Sequence, residues 1–267
     1  MRLDQMASPG VAARVATLIA TALLLVACTP ETANTAPPTT RNNPLVAASA
    51  SGNVPAARWR AVLIAGDNNS PSFDNGVDAL RGKLAAQGVR DIRVLTSDPG
   101  RNPSAQVASA GNVSSALRSG GGEACLAFIT SHGDETGVVL RAANGVIAPG
   151  ALNSALDAGC GARPTVVIVS ACHSGIFMTT AMRQSNRVVL TAAAADRVSF
   201  GCGAGDRFTY YDQCLLQQFD GVSTWSELAQ ATRSCVQALE QRMGVRRASR
   251  PQTFVGSSVA DLRIPGR

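Results

Sequence analysis

The chain holds only two histidines, His132 and His173, and each stands at the end of an apolar run. "CLAFIT" (Cys125–Thr130) runs into Ser131-His132-Gly133, and "TVVIVSA" (Thr165–Ala171) runs into Cys172-His173-Ser174. A thiol and an imidazole at such ends suit acyl transfer. The thiol is intrinsically nucleophilic but largely protonated at neutral pH, with a reference pKa of about 8.5. An imidazole within reach can take its proton and later return one to a leaving amine. His173 follows Cys172 directly, so along an extended strand their side chains point to opposite faces, and His132 is the more useful partner. The backbone N–H groups of Gly133 and Cys172 could serve a developing oxyanion, and glycine at 133 permits close approach. Either residue alone would read as packing. Both at the ends of successive apolar strands point to catalysis.

For the two loops to meet, their strands must be neighbours in one sheet. The pattern around them supports this. "AVLIAG" (Ala61–Gly66), "DIRVLT" (Asp91–Thr96) and "RVVLTAA" (Arg187–Ala193) read as further strands. "NGVDALRGKLAAQG" has Val77, Leu80 and Leu84 at helical spacing and stops at Gly88. Shorter helices are expected around Val113–Arg118 and in "ALNSALDAG", and a hairpin over Gly137–Ile147 turning at Asn144-Gly145. "WSELAQATRSCVQALEQRM" places Leu228, Ala231, Cys235 and Leu239 on one helix face. Strands apolar on both faces, alternating with helices, imply an α/β fold with a mainly parallel sheet covered on both sides. In such sheets ligands bind at the carboxyl ends of the strands, where His132 and Cys172 lie.

Residues 1–27 read as a signal peptide. Arg2 and Arg14 precede "VATLIATALLLVAC" (Val15–Cys28), which is short for a membrane span. Leu25-Val26-Ala27-Cys28 resembles a bacterial lipobox, which implies cleavage before Cys28 and lipidation of its thiol; Thr29 at the next position favours the outer membrane, facing the periplasm. Residues 28–58, rich in Pro, Thr, Ala and Asn, read as a flexible tether with a reach of roughly 30 Å. The formal net charge is +6, carried by arginine except for Lys83, and no aromatic-and-basic stripe accompanies it, which argues against nucleic-acid binding. Two histidines and no CxxC or HExxH argue against a zinc site. Gly120–Gly122 and Gly201–Gly205 do not fit phosphate-binding spacings and read as turns. If Cys172 stays reduced, the five remaining cysteines after Cys28 allow two disulfides and one orphan. Cys125 and Cys160, each near the start of an apolar strand, make one candidate pair.

His-Gly after one strand and Ala-Cys after the next resembles the signature of the caspase–legumain clan of cysteine peptidases. "FITSHGDETGVVL" and "VVIVSACHSGIF" are most similar to the legumain (asparaginyl endopeptidase) family, in particular its bacterial lipoprotein members. "AVLIAGDNN", "NRVVLTAAAADRVSFGCG" and "YYDQCLL" extend the likeness over Arg60–Cys235. The resemblance implies a caspase–hemoglobinase-like three-layer sandwich over residues 59–267, no metal or other cofactor, and hydrolysis of peptide or protein substrates through a thioester. It makes Cys172 the nucleophile, His132 the general acid/base, Gly133 and Cys172 the oxyanion donors, and Asn68 an amide that orients the histidine. At the family's pocket arginine and pocket acid this chain has Asp74 and Ser170, while Ser199 matches a pocket serine. That exchange of charge favours a basic over an amide side chain in the substrate. Asp74 is also a good N-cap for the helix behind it. A catalytically silent binding lipoprotein on the same fold and a transamidase using the same dyad are the alternatives. Oligomeric state stays open.

Overall fold

The computed structural model describes residues 52–102 and 104–267; the signal peptide, Cys28 and the tether as far as residue 51 lie outside the described residues. In chain order the elements are β1 (Trp59–Ala65), α1 (Pro71–Ala86), β2 (Asp91–Thr96), β3 (Gln106–Val107), α2 (Ala110–Arg118), β4 (Ala124–Thr130), β5 (Val138–Leu140), β6 (Gly145–Ile147), α3 (Pro149–Gly159), β7 (Thr165–Ser170), β8 (Arg187–Thr191), α4 (Tyr210–Gln218), α5 (Trp225–Arg242) and β9 (Gln252–Val255). Seven strands form one sheet in the order β3-β2-β1-β4-β7-β8-β9; β5 and β6 pair as a separate hairpin. All neighbours in the large sheet are parallel except β9, which runs antiparallel to β8.

The three layers follow from side-chain alternation. Leu63, Leu126, Phe128 and Ile168 point into one core with Phe73, Leu80 and Leu84 of α1, Leu215 of α4, and Trp225 and Leu228 of α5. Val62, Ile64, Ala127 and Val167 point the other way, onto Val113 and Leu117 of α2 and Leu152 and Leu156 of α3. Because both faces are covered, β1, β4, β7 and β8 are buried along their whole length, which is why they read as unbroken apolar runs. Disulfides join Cys125 of β4 to Cys160 at the end of α3, and Cys214 of α4 to Cys235 of α5. Two disulfides leave Cys172 and Cys202 as the free thiols of the described residues.

The expected helices and strands are present, with some differences. α1 begins at Pro71, and its N-cap is Ser70, whose Oγ accepts from the Ser72 N–H; Asp74 is not the cap. Proline at the first helical position lacks an N–H that would have no partner there, so the helix can start before the apolar period becomes visible. The buried face of α5 carries Trp225, Leu228, Ala229, Thr232, Val236 and Glu240; of the expected stripe Leu228 is fully buried, while Ala231, Cys235 and Leu239 lie at the margin. The face is set by Trp225, which packs on Trp59 and Phe219. Residues 52–58, read as the end of the tether, pack on the domain: the Gly52 carbonyl accepts from Arg263 and the Val54 carbonyl from the Trp59 indole.

Candidate active site

Strand register brings the candidate residues together. β4 pairs with β7 so that Thr130 faces Ser170, and the Ser131 N–H extends the ladder onto the Ser170 carbonyl at 3.1 Å. His132 and Cys172 each lie two residues beyond that pair. The loops are pressed together: a Cβ on Gly133 would sit 2.6 Å from the Cys172 carbonyl oxygen and 2.9 Å from the Ala171 Cβ. Only glycine fits there. His132 and Cys172 line one narrow cavity, about 10 Å³, with Phe73, Ser170, Ser199 and Cys202. The Phe73 ring meets the imidazole edge-on, centroids 5.1 Å apart. Among the described residues neither the Gly133 nor the Cys172 N–H has an acceptor, so both are free to serve an oxyanion.

Cys172 Sγ accepts a hydrogen bond from the Ser199 N–H at 3.2 Å, and the Ser199 carbonyl lies 3.5 Å from the same sulfur. Burial pushes the thiol above the usual cysteine range, against the opposing effect of the Ser199 N–H. The resting group is therefore a thiol that needs a base. His173 does not approach it from the neighbouring position. The chain leaves the extended conformation after Ser170, His173 adopts a left-handed conformation (φ 56°), and its Nδ1 lies 2.9 Å from the Ala195 carbonyl. Gly175 allows this turn, since a Cβ there would lie 2.3 Å from the Ala195 nitrogen.

Ser170 and Ser199 both line the cavity; Asp74 does not. The Asp74 carboxylate is buried against β2, where it accepts from Thr96 Oγ1 at 2.7 Å, and burial raises its pKa. The acid beneath the cavity is Asp212, the third residue of α4. Thr130 Oγ1 donates to its Oδ2 at 2.7 Å, its own N–H is capped by Thr209 Oγ1, and Thr209 in turn lies 3.3 Å from Ser170 Oγ. Burial pushes the Asp212 carboxyl up to about 6 despite those hydroxyls, and its Oδ1 is buried without a partner. A carboxylate between the apolar Tyr211 and Cys214-Leu215 was the signal for it in the sequence.

Asn68 is exposed and makes no side-chain hydrogen bond among the described residues. Its predecessor Asp67 is fully buried. Asp67 Oδ1 accepts from the Asn69 N–H at 2.8 Å and from Arg141 Nε at 2.6 Å. These contacts, with the charges of Arg141 and His132, outweigh burial, so the carboxyl stays below the usual aspartate range. A larger cavity of about 950 Å³ lies by Arg163 and Asn186, and another of about 330 Å³ beside β9 near Arg183, Arg233 and Arg250. Neither contains His132 or Cys172, so the chemistry, not the volume, locates the site. Among the described residues no cluster of three or more His, Cys, Asp or Glu side chains is arranged to hold a metal ion.

The fold is similar to that of caspase-1 from Spodoptera frugiperda, with a TM-score of 0.55 and 12% identity over 76% of this chain and 88% of that one. At that identity the likeness concerns the fold alone. No curated protein sequence matches the chain. The sequence profile of the Peptidase C13 family matches residues 100–248, a span that includes β4, β7, His132 and Cys172. With more than half of its length matched, including both strand ends that form the cavity, the chain belongs to the peptidase C13 family, the legumain family of cysteine peptidases.

Proposed function

We propose that the protein is a cysteine endopeptidase in which Cys172 and His132 form the catalytic dyad. The observation that carries this reading is the shared register of β4 and β7, which delivers the imidazole and the thiol to one cavity with Gly133 packed against the Cys172 backbone. Cys172 Sγ attacks the scissile carbonyl carbon while its proton passes to His132. The carbonyl oxygen becomes an oxyanion facing the Gly133 and Cys172 N–H groups. His132 then gives the proton to the leaving amine as the C–N bond breaks, which leaves a thioester on Cys172. Water, deprotonated by His132, attacks the thioester; the acid product leaves and the thiol is restored.

A basic side chain before the scissile bond suits the cavity best. Hydroxyls of Ser170 and Thr209 line it, no Lys or Arg among the described residues does, and Asp212 lies beneath, behind Thr209, with an unpartnered oxygen. At neutral pH Asp212 is mostly ionised, its pKa being about 6. An acidic substrate side chain would be buried with no counter-charge, at a cost of several kcal/mol. Since about 10 Å³ admits no more than one water, the walls around Ser199–Cys202 have to move for any side chain to enter. Two disulfides suit an exported protein, and the lipobox-like end of the signal peptide supports anchoring in the cell envelope.

The test is an electrophilic peptide probe with Arg, Lys, Asn or Asp at the recognised position, applied to wild type, Cys172→Ala and His132→Ala. Labelling is expected on Cys172, fastest with Arg or Lys, and absent from Cys172→Ala. Labelling that survives Cys172→Ala, or no labelling of wild type at all, would reject the peptidase reading in favour of a binding module. A clear preference for Asn probes would reject only the basic specificity. An amine added to the peptide assay distinguishes hydrolysis from transamidation by the product formed.

A further inference from the structure

The dyad histidine needs something to hold it, and the exposed amide of Asn68 is not placed by any contact. The neighbouring carboxylate is. β1 pairs with β4 so that Ala65 faces Thr130, and the Gly66 N–H donates to the Thr130 carbonyl at 3.0 Å. Asp67 lies two residues beyond that pair on one strand, and His132 two residues beyond it on the other. The approach is close here too: a Cβ on Gly66 would lie 2.7 Å from Ser131 Oγ and 2.2 Å from the Val139 carbonyl. Asp67 is fully buried at this edge, one oxygen anchored by Asn69 N–H and Arg141 Nε, while Oδ2 is buried without a donor. A buried carboxylate oxygen with no partner costs free energy and calls for a donor.

Building on the dyad assignment, we propose that Asp67 is the positioning residue for His132, with the second carboxylate oxygen serving as acceptor for an imidazole N–H. The sheet then sets three groups side by side at the ends of adjacent strands: carboxylate on β1, imidazole on β4, thiol on β7. Asp67 takes no proton. It fixes the tautomer and ring plane so that the other ring nitrogen faces sulfur, and its charge favours the imidazolium formed when the thiol is deprotonated. The charge of His132 is also one of the influences that hold the Asp67 carboxyl below its ordinary range. The other charged group bearing on Asp67 is Arg141, from the β5–β6 connection; sharing the cavity with the imidazole are the free thiols of Cys172 from the β7 end and Cys202, and the uncharged Phe73 from α1. Arg141 is half-exposed, so it anchors the carboxylate without cancelling its field. The family profile begins at residue 100, so Asp67 lies outside the match.

Asp67→Asn is the direct test, with kinetics expressed per labelled active site. The expectation is a kcat lowered by roughly tenfold to a hundredfold, KM within about twofold, and the acid limb of the pH–rate profile, set by the base His132, moved to lower pH. A purely structural role would lower the labelled fraction and leave kcat per site and the profile unchanged, which would overturn the proposal. A second readout is independent of turnover. With two histidines in the chain, the imidazole nitrogen signals of His132 can be followed by NMR in the Cys172→Ala protein, and adding Asp67→Asn should abolish their single-tautomer pattern. If Asp67→Asn does not fold, Arg141→Gln replaces it: the carboxylate remains, the imidazolium becomes its main cation, and the acid limb should move to higher pH. An unmoved or lowered limb would overturn the proposal. Wild type that fails to label at Cys172 would instead refute the dyad itself.

Discussion

A Cβ at residue 133 would lie 2.6 Å from the Cys172 carbonyl oxygen, well inside van der Waals contact, and the atom it meets is backbone that cannot rotate away. Gly133→Ala must therefore push the His132 loop away from the Cys172 turn. A displacement near 1 Å at reacting groups costs on the order of a hundredfold in rate, so kcat/KM of Gly133→Ala should fall by about that factor while the melting profile shows a folded protein. Near-wild-type kinetics would mean that the loops do not meet during catalysis. The same scale explains why His132, and not His173 beside the thiol, is the base proposed. The left-handed backbone at that residue turns its ring to the Ala195 carbonyl.

Among the elements, α5 shows how local sequence sets a boundary. Thr224 Oγ1 accepts from the Glu227 N–H at 3.1 Å, and the Glu227 carboxylate accepts from the Thr224 N–H at 2.9 Å, a reciprocal capping box. Thr224→Ala should lower stability by about 1 kcal/mol, read as a shift in denaturant midpoint, with kcat unchanged because no residue of α5 lines the His132–Cys172 cavity. A loss near zero would show that packing of Trp225 alone fixes the helix start. The hairpin β5–β6 has a different part: Val139 N–H bonds the His132 carbonyl and Arg141 N–H the Gly66 carbonyl, so it ties together the loops after β1 and β4.

Across the whole molecule, stability depends on pH through Asp212. Burial raises its carboxyl from the ordinary 3.8 to about 6. The folded protein thus binds this proton more tightly than the unfolded chain does. The stabilising contribution is complete below pH 3.8 and is lost as pH rises through about 6. Two pKa units correspond to about 3 kcal/mol. Asp212→Asn keeps an oxygen for Thr130 and removes the charge, so the variant should gain on wild type by up to about 3 kcal/mol between pH 4 and pH 7 in denaturant titrations. A difference that stays flat with pH would mean that the carboxyl titrates normally. Under the proposed preference for a basic substrate side chain, this buried anion would supply its counter-charge.

Much of this organisation is local and was legible in the sequence. Doubly covered parallel strands must be apolar on both faces, so β1, β4, β7 and β8 declared themselves, and with them the ends that carry His132 and Cys172. Pro71 and the polar Ser72 hid the first turn of α1 and made Asp74 look like a cap, although Phe73 continues the helical spacing of Val77, Leu80 and Leu84. What required tertiary structure were relations between distant segments. The order β1-β4-β7 at the centre of the sheet decides which loops touch; no periodicity encodes it. Burial then separates Asp67 from the adjacent Asn68, and brings Asp212 from a helix more than 70 residues beyond Thr130 to that hydroxyl. A sequence specifies which side chains can ionise or attack, but neighbours, dielectric and free volume exist only after the chain has packed.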